Sequence, residues 1–85
     1  MIEVKKMAVL GAGIMGNGIA QVAAQAGILV NMEDIDDSVL RRGFADIRKS
    51  LDIMVKKGKF DAAGAEKILS RISGTTDLKK AVDSF

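Results

Sequence analysis

A chain of 85 residues, 48% of them apolar, holds one small domain and carries too much hydrophobic material for disorder. It has no cysteine, histidine, tryptophan, tyrosine or proline, and its formal net charge of +2 is too small to argue for a nucleic-acid partner. Those absences exclude disulfides, a thiolate metal site, and the commonest general base and soft nucleophile.

The opening MIEVKK lacks the apolar core of a signal peptide. The longest nearly apolar run, Gly18 to Val30, is broken by Gln21 and Gln25 and falls short of the roughly 20 residues a membrane span needs. A cytoplasmic protein with no membrane partner fits both facts and the missing cysteines. Met7 to Leu10 is apolar without alternation, as in a strand buried on both faces of a parallel sheet. Ile14 to Ala26 is an alanine-rich helix with Ile19, Ala20, Ala23 and Ala24 on one side, and Gly27 stands where a helix-ending glycine belongs. Ile28 to Glu33 is a second strand, and the polar Asn31 and Glu33 imply a less buried far half. Asp36, Asp37 and Ser38 offer caps for the next helix. Leu40, Phe44, Ile47, Leu51 and Met54 then recur at spacings of four and three, which predicts a helix from about Ser38 to Lys57, stopped by Gly58. The cations around it, from Arg41 to Lys59, read as a solvated face. Asp61 caps a helix carrying Ala65, Ile68, Leu69 and Ile72 inward. A weak strand at Arg71 to Ser73 follows, then a Gly74-Thr75-Thr76 turn, then a last helix capped by Asp77 through Leu78 and Val82. Strands alternating with helices imply a parallel sheet with right-handed crossovers.

Four glycines fall between Gly11 and Gly18, where each costs stability inside a strand or a helix. Gly11, Gly13 and Gly16 have the spacing G-x-G-x-x-G, between a predicted strand and a predicted helix. An acid, Asp34, ends the next strand 23 positions after Gly11. This is the fingerprint of a dinucleotide site. Gly11 allows the tight turn, Gly13 bares the backbone to a pyrophosphate, and Gly16 lets the helix lie close to the sheet. The free amides and positive dipole end of that helix then face the phosphates. Asp34 would accept hydrogen bonds from the adenosine ribose and repel a 2′-phosphate, which favours NAD over NADP. Glu33 is a second candidate acid. The bland reading keeps the glycines as a structural turn and Asp34 as a helix cap. Gly18 has no ligand role and reads as a packing glycine.

The run "MAVLGAGIMGNGIAQVAAQAG" resembles the opening of the 3-hydroxyacyl-CoA dehydrogenases, and the similarity continues through "DIDDSVLRRG", "KSLDIMVKKGKF" and "RISGTTDL". The resemblance implies NAD-dependent interconversion of 3-hydroxyacyl-CoA and 3-ketoacyl-CoA in fatty-acid metabolism. It also implies a Rossmann domain followed by a helical domain that dimerises. Carried over, Gly11, Ala12, Gly13, Ile14, Met15 and Gly16 meet the pyrophosphate and Asp34 the ribose. Ser50 and Lys57 match positions that contact coenzyme A in the family. Residues seven apart share nearly one side of a helix, and both flank the apolar stripe. Lys57 reads equally as a solvated cation at a helix end. Asn31 and Glu33 stand where the family usually keeps apolar or aromatic residues.

The family's fourth strand, its catalytic serine, its histidine–glutamate pair and its asparagine have no counterpart here, so no catalytic residue and no metal set is assigned. The expectation is therefore α/β: residues 1–85 form the N-terminal portion of a Rossmann domain. About three parallel strands with flanking helices are truncated before the fourth strand, without turnover of their own. The edge of the first strand, left unpaired, is a template for association, so the chain folded alone is expected to self-associate through it or to remain marginally stable. Two other readings stay open: a fragment of a β-hydroxyacid dehydrogenase, and a non-catalytic nucleotide-binding or interaction module.

Overall fold

The computed structural model describes residues 6–77 and 79. In chain order it contains β1 (Lys6–Leu10), α1 (Ile14–Gln25), β2 (Leu29–Glu33), α2 (Asp37–Lys56), α3 (Ala62–Ser70) and β3 (Ile72–Thr75). β2 lies between β1 and β3, and both pairings are parallel.

The register fixes where the helices sit. Val9, Met32 and Gly74 lie opposite one another across the three strands and so point to one face of the sheet. Val9 lies under Gly16 of α1, while Met32 and Gly74 lie under Gly43 and Phe44 of α2. α1 and α2 therefore share that face, and α3 packs against both. Between them they bury Val9, Val30, Met32 and Ile72 from the strands, Ala20, Ala23 and Ala24 from α1, Leu40, Ile47 and Leu51 from α2, and Ala65 and Ile68 from α3. Small side chains let α1 lie close to the strands, and the leucine and isoleucine stripe of α2 fills the wider space beside it. Positive φ at Gly27 and Gly58, just past the ends of α1 and α2, turns the chain out of each helix. Asp36 and Asp61 cap α2 and α3 through the amides of Ser38 and Gly64. The cations Arg41, Arg42, Arg48, Lys49, Lys56, Lys57 and Lys59 are exposed, as a solvated face requires.

At one corner the Arg71 guanidinium donates to the Ala24 carbonyl at 2.8 Å, and the Arg71 carbonyl accepts from the Val30 amide at 2.9 Å. One residue thus ties the end of α1 and the start of β2 to the turn before β3.

Five expectations are corrected. β1 is not buried on both faces: Val9 alone is buried and Leu10 is 60% exposed, because the helices cover only the face that Val9 shares. The far half of β2 is the buried half: Met32 is fully covered under α2 and Glu33 is 6% exposed, whereas Leu29 at the near end is 47% exposed. Tertiary cover from α2 outweighs the poor strand propensity of Asn31 and Glu33. Gly74 and Thr75 belong to β3 and not to a turn. A Cβ on Gly74 would come within 2.6 Å of the Phe44 ring, so this glycine serves close packing inside a strand. Ile19 is 51% exposed, and Asn17 takes the buried place on α1. Gly18 is no packing glycine, because a Cβ there meets nothing within 4 Å.

Asp77 accepts from the Lys79 amide at 2.9 Å, as a cap would, but the rest of the predicted last helix lies outside the described residues. Among the described residues no helix is long and apolar enough to cross a membrane.

Candidate functional site

β1 ends at Leu10, and the chain turns sharply into α1 over three residues. Gly11 makes that turn at φ +103°, a conformation open to glycine and strained for other residues. Its amide donates to the Glu33 carbonyl at 2.6 Å and extends the β1–β2 pairing by one step. The next amide, from buried Ala12, donates to Asp34 Oδ2 at 3.0 Å. Asp34 Oδ1 accepts from the Asp36 amide, also at 3.0 Å. The two glycine-turn contacts join the exits of β1 and β2 into one rigid corner.

Asp34 is thus held beside the glycine turn and does not cap α2; that work falls to Asp36, whose Oδ1 takes both the amide and the hydroxyl of Ser38. The Ala12 amide, and after it the Asp36 amide, pull the Asp34 carboxyl below its usual value against partial desolvation and the nearby Asp36 carboxylate. The Asp36 carboxyl is lowered in turn, chiefly by the Ser38 hydroxyl. Glu33, the rival acid, is buried at the end of β2 and meets the turn through its carbonyl.

Gly13 is the cap residue of α1, and no side chain caps that end. Its missing Cβ borders open space, and Gly13, Ile14 and Met15 are exposed. The first amides of α1 therefore point outward without a protein acceptor at their cap, next to an ionised carboxylate. Such an end attracts an anionic group, and the carboxylate accepts hydroxyls. Gly16 has the opposite surroundings: a Cβ there would run into the Gly11 carbonyl. The third glycine seats α1 on the turn, while the second leaves the turn bare.

Four residues of this corner escaped the sequence reading. Gly43 of α2 faces Ala12, whose carbonyl would lie 2.6 Å from an added Cβ, so α2 touches the back of the turn. The available signal was a glycine inside a strongly periodic helix. Asn17, buried in α1, donates to Asp46 of α2 at 3.4 Å. Together with Arg42 and Asp46, Gly13 and Asn17 line a cleft of ≈ 200 Å³ between the turn and α2.

Ser50 and Lys57 stand apart from this corner. Ser50 is half-buried on α2, where its hydroxyl accepts from Gln21 of α1 at 3.0 Å. Lys57 is the exposed residue that ends α2.

Comparison with known proteins agrees with this fold. A probable 3-hydroxybutyryl-CoA dehydrogenase of Deinococcus radiodurans is 49% identical over 78 residues, which is 92% of this chain and 28% of that protein. The crystal structure of M. tuberculosis FadB2 superposes with a TM-score of 0.88 at 34% identity, covering 93% of this chain and 28% of that one. The (S)-3-hydroxybutyryl-CoA dehydrogenase PaaH1 from Ralstonia eutropha superposes with a TM-score of 0.85 at 41% identity, covering 88% and 26%. The chain therefore spans under a third of the length of these relatives. The family described as 3-hydroxyacyl-CoA dehydrogenase, NAD binding domain, matches residues 6–85, and the chain belongs to that family.

Proposed function

We propose that this chain is the N-terminal, cofactor-holding portion of a cytoplasmic NAD-dependent enzyme that interconverts 3-hydroxyacyl-CoA and 3-ketoacyl-CoA. When bound, NAD supplies the hydride acceptor or donor. The chain's own residues bind and orient it. The backbone from Gly11 to Gly16 receives the pyrophosphate at the start of α1, with Ile14 and Met15 in its first turn. Asp34 accepts the ribose hydroxyls with the lone pairs left by the Ala12 and Asp36 amides. Ser50 and Lys57 face coenzyme A on α2, Ser50 by a hydrogen bond and Lys57 as a point charge toward a phosphate.

The observation that carries this reading is the Ala12–Asp34 hydrogen bond of 3.0 Å. It fixes an ionised acid beside bare helix-start amides, which is what a diphosphate joined to a ribose requires. A 2′-phosphate brought to the same carboxylate meets like charge. Calorimetric titration of NAD, NADP and acetoacetyl-CoA into the chain and its Asp34→Ala variant tests it. NAD should bind tighter than NADP, and the substitution should erase that preference. Equal affinities, untouched by the substitution, would remove the ribose role. Lys57→Ala should weaken acetoacetyl-CoA alone; no change would return Lys57 to a solvated helix-end cation.

The same reading includes self-association of the chain on its own. β1 has no neighbour on its outer edge among the described residues, and Leu10, Ile14, Met15 and Val22 beside it are 60–87% exposed. An apolar strand edge next to an apolar helix flank invites a second copy. Light scattering on a size-exclusion column should show a dimer or larger species, and a dilute, heat-stable monomer would count against it.

A further inference from the structure

Gln21 closes the M-G-x-G-I-A-Q run of α1, where neither the nucleotide corner nor the core accounts for it. Its amide lies at the centre of the seam between α1 and α2. Nε2 is 3.0 Å from Ser50 Oγ, 3.2 Å from Gln25 Oε1 and 3.6 Å from Met54 Sδ. Gln21 and Gln25 are one turn apart on α1, as are Ser50 and Met54 on α2, so two helix-turn pairs meet around one amide.

An amide nitrogen has two protons. The two oxygens take them, and the sulfur, a weak acceptor, is left with a flank contact. The Ser50 oxygen is thereby an acceptor, which keeps its own proton from being spent on Gln21. Ser70, in contrast, donates its hydroxyl proton to the Lys67 carbonyl of its own helix. A helical serine often makes that inward bond, whereas the bond found at the Ser50 hydroxyl is the one it accepts from Gln21.

We propose that Gln21 is a positioning residue: it holds the Ser50 hydroxyl as an outward donor toward a coenzyme A thioester ligand. This rests on the coenzyme A reading of Ser50. It assigns to α1, the helix whose start takes the nucleotide, a second task at its middle.

The test is calorimetric titration of acetoacetyl-CoA and of NAD into the chain, with Ser50→Ala, Gln21→Met, the double variant and Gln21→Glu. Gln21→Met keeps the length and loses the donor. Gln21→Glu offers only acceptors and captures the serine proton. Each single variant should weaken acetoacetyl-CoA about three- to tenfold, the worth of one hydrogen bond, and leave NAD within twofold. Gln21→Met should add nothing in the Ser50→Ala background, since the proton it governs is gone. If Ser50→Ala is costly but both Gln21 variants bind acetoacetyl-CoA normally, the positioning role fails alone. If they weaken NAD equally, or if Gln21→Met costs as much without Ser50, Gln21 is only a strut between helices. If Ser50→Ala is neutral, the coenzyme A reading falls and takes the inference with it.

Discussion

Alanine at Gly16 and alanine at Gly18 should move stability in opposite directions, although the two sites lie two residues apart on one helix. Both substitutions gain helix propensity, worth about 0.5–1 kcal/mol. At Gly18 nothing lies within 4 Å of the new Cβ, so the gain stands alone. At Gly16 the Cβ runs into the Gly11 carbonyl. That group is backbone, and the same residue's amide is held by Glu33 at 2.6 Å, so it cannot swing aside. α1 must lift off the turn, and overpacking of this kind costs about 1–3 kcal/mol, occasionally more. With a cost near the upper end because the obstacle is rigid, the balance for Gly16→Ala is a loss of about 2 kcal/mol, or about 10 °C in a domain this size. Gly18→Ala should rise by a few degrees. Thermal melts followed by circular dichroism decide it. A Gly16→Ala chain that melts at or above the parent would refute the close seating of α1. So would a Gly18→Ala chain that loses as much as Gly16→Ala.

Asp34 has its folded pKa lowered by two backbone amides, so its contribution to stability is full above the unfolded value of about 3.9 and lost as pH falls through the folded one. Urea titrations should show a constant gap between the parent and Asp34→Asn from pH 7 to about 5, closing below about pH 4; a gap that widens on acidification would reverse the sign. Arg71→Leu leaves the Ala24 carbonyl without its charged donor and should cost about 1.5–3 kcal/mol, with amide exchange accelerated in the last turn of α1. Arg41→Ala, which breaks an exposed pair with Asp37 at 2.7 Å, should stay within about 0.5 kcal/mol.

The elements were legible because their signals are local. The stripe of Leu40, Ile47 and Leu51 marked α2, the caps at Asp36 and Asp61 marked two helix starts, and Gly27 and Gly58 marked two ends. The glycine corner was legible because the fingerprint places Gly11, Gly16 and Asp34 by spacing along the chain, and the three do meet there. What the sequence hid is set by neighbours distant along the chain. Gly74 has no room for a side chain because Phe44 lies above it, and Glu33 is buried at the middle strand's end, paired on both sides with Leu10 and Thr75. Gly43 acts against the glycine turn and Asn17 and Gln21 across the α1–α2 seam, and no periodicity within one helix announces which distant residue it will meet. Gly18 shared the glycine signal of its neighbours and has none of their surroundings.

Bare amides at the start of α1 receive the diphosphate in the proposed function, and Gly13 is where that role can be isolated. Its φ of −66° and ψ of −170° suit alanine, and an added Cβ would meet nothing within 4 Å. Gly13→Ala should therefore fold, losing no more than about 1 kcal/mol at the helix cap, while its methyl group occupies the approach to the turn. Calorimetric titration of NAD into the parent and the variant should show affinity falling at least about tenfold with the melting temperature nearly kept. Unchanged NAD affinity in a folded Gly13→Ala chain would contradict the assignment of the site.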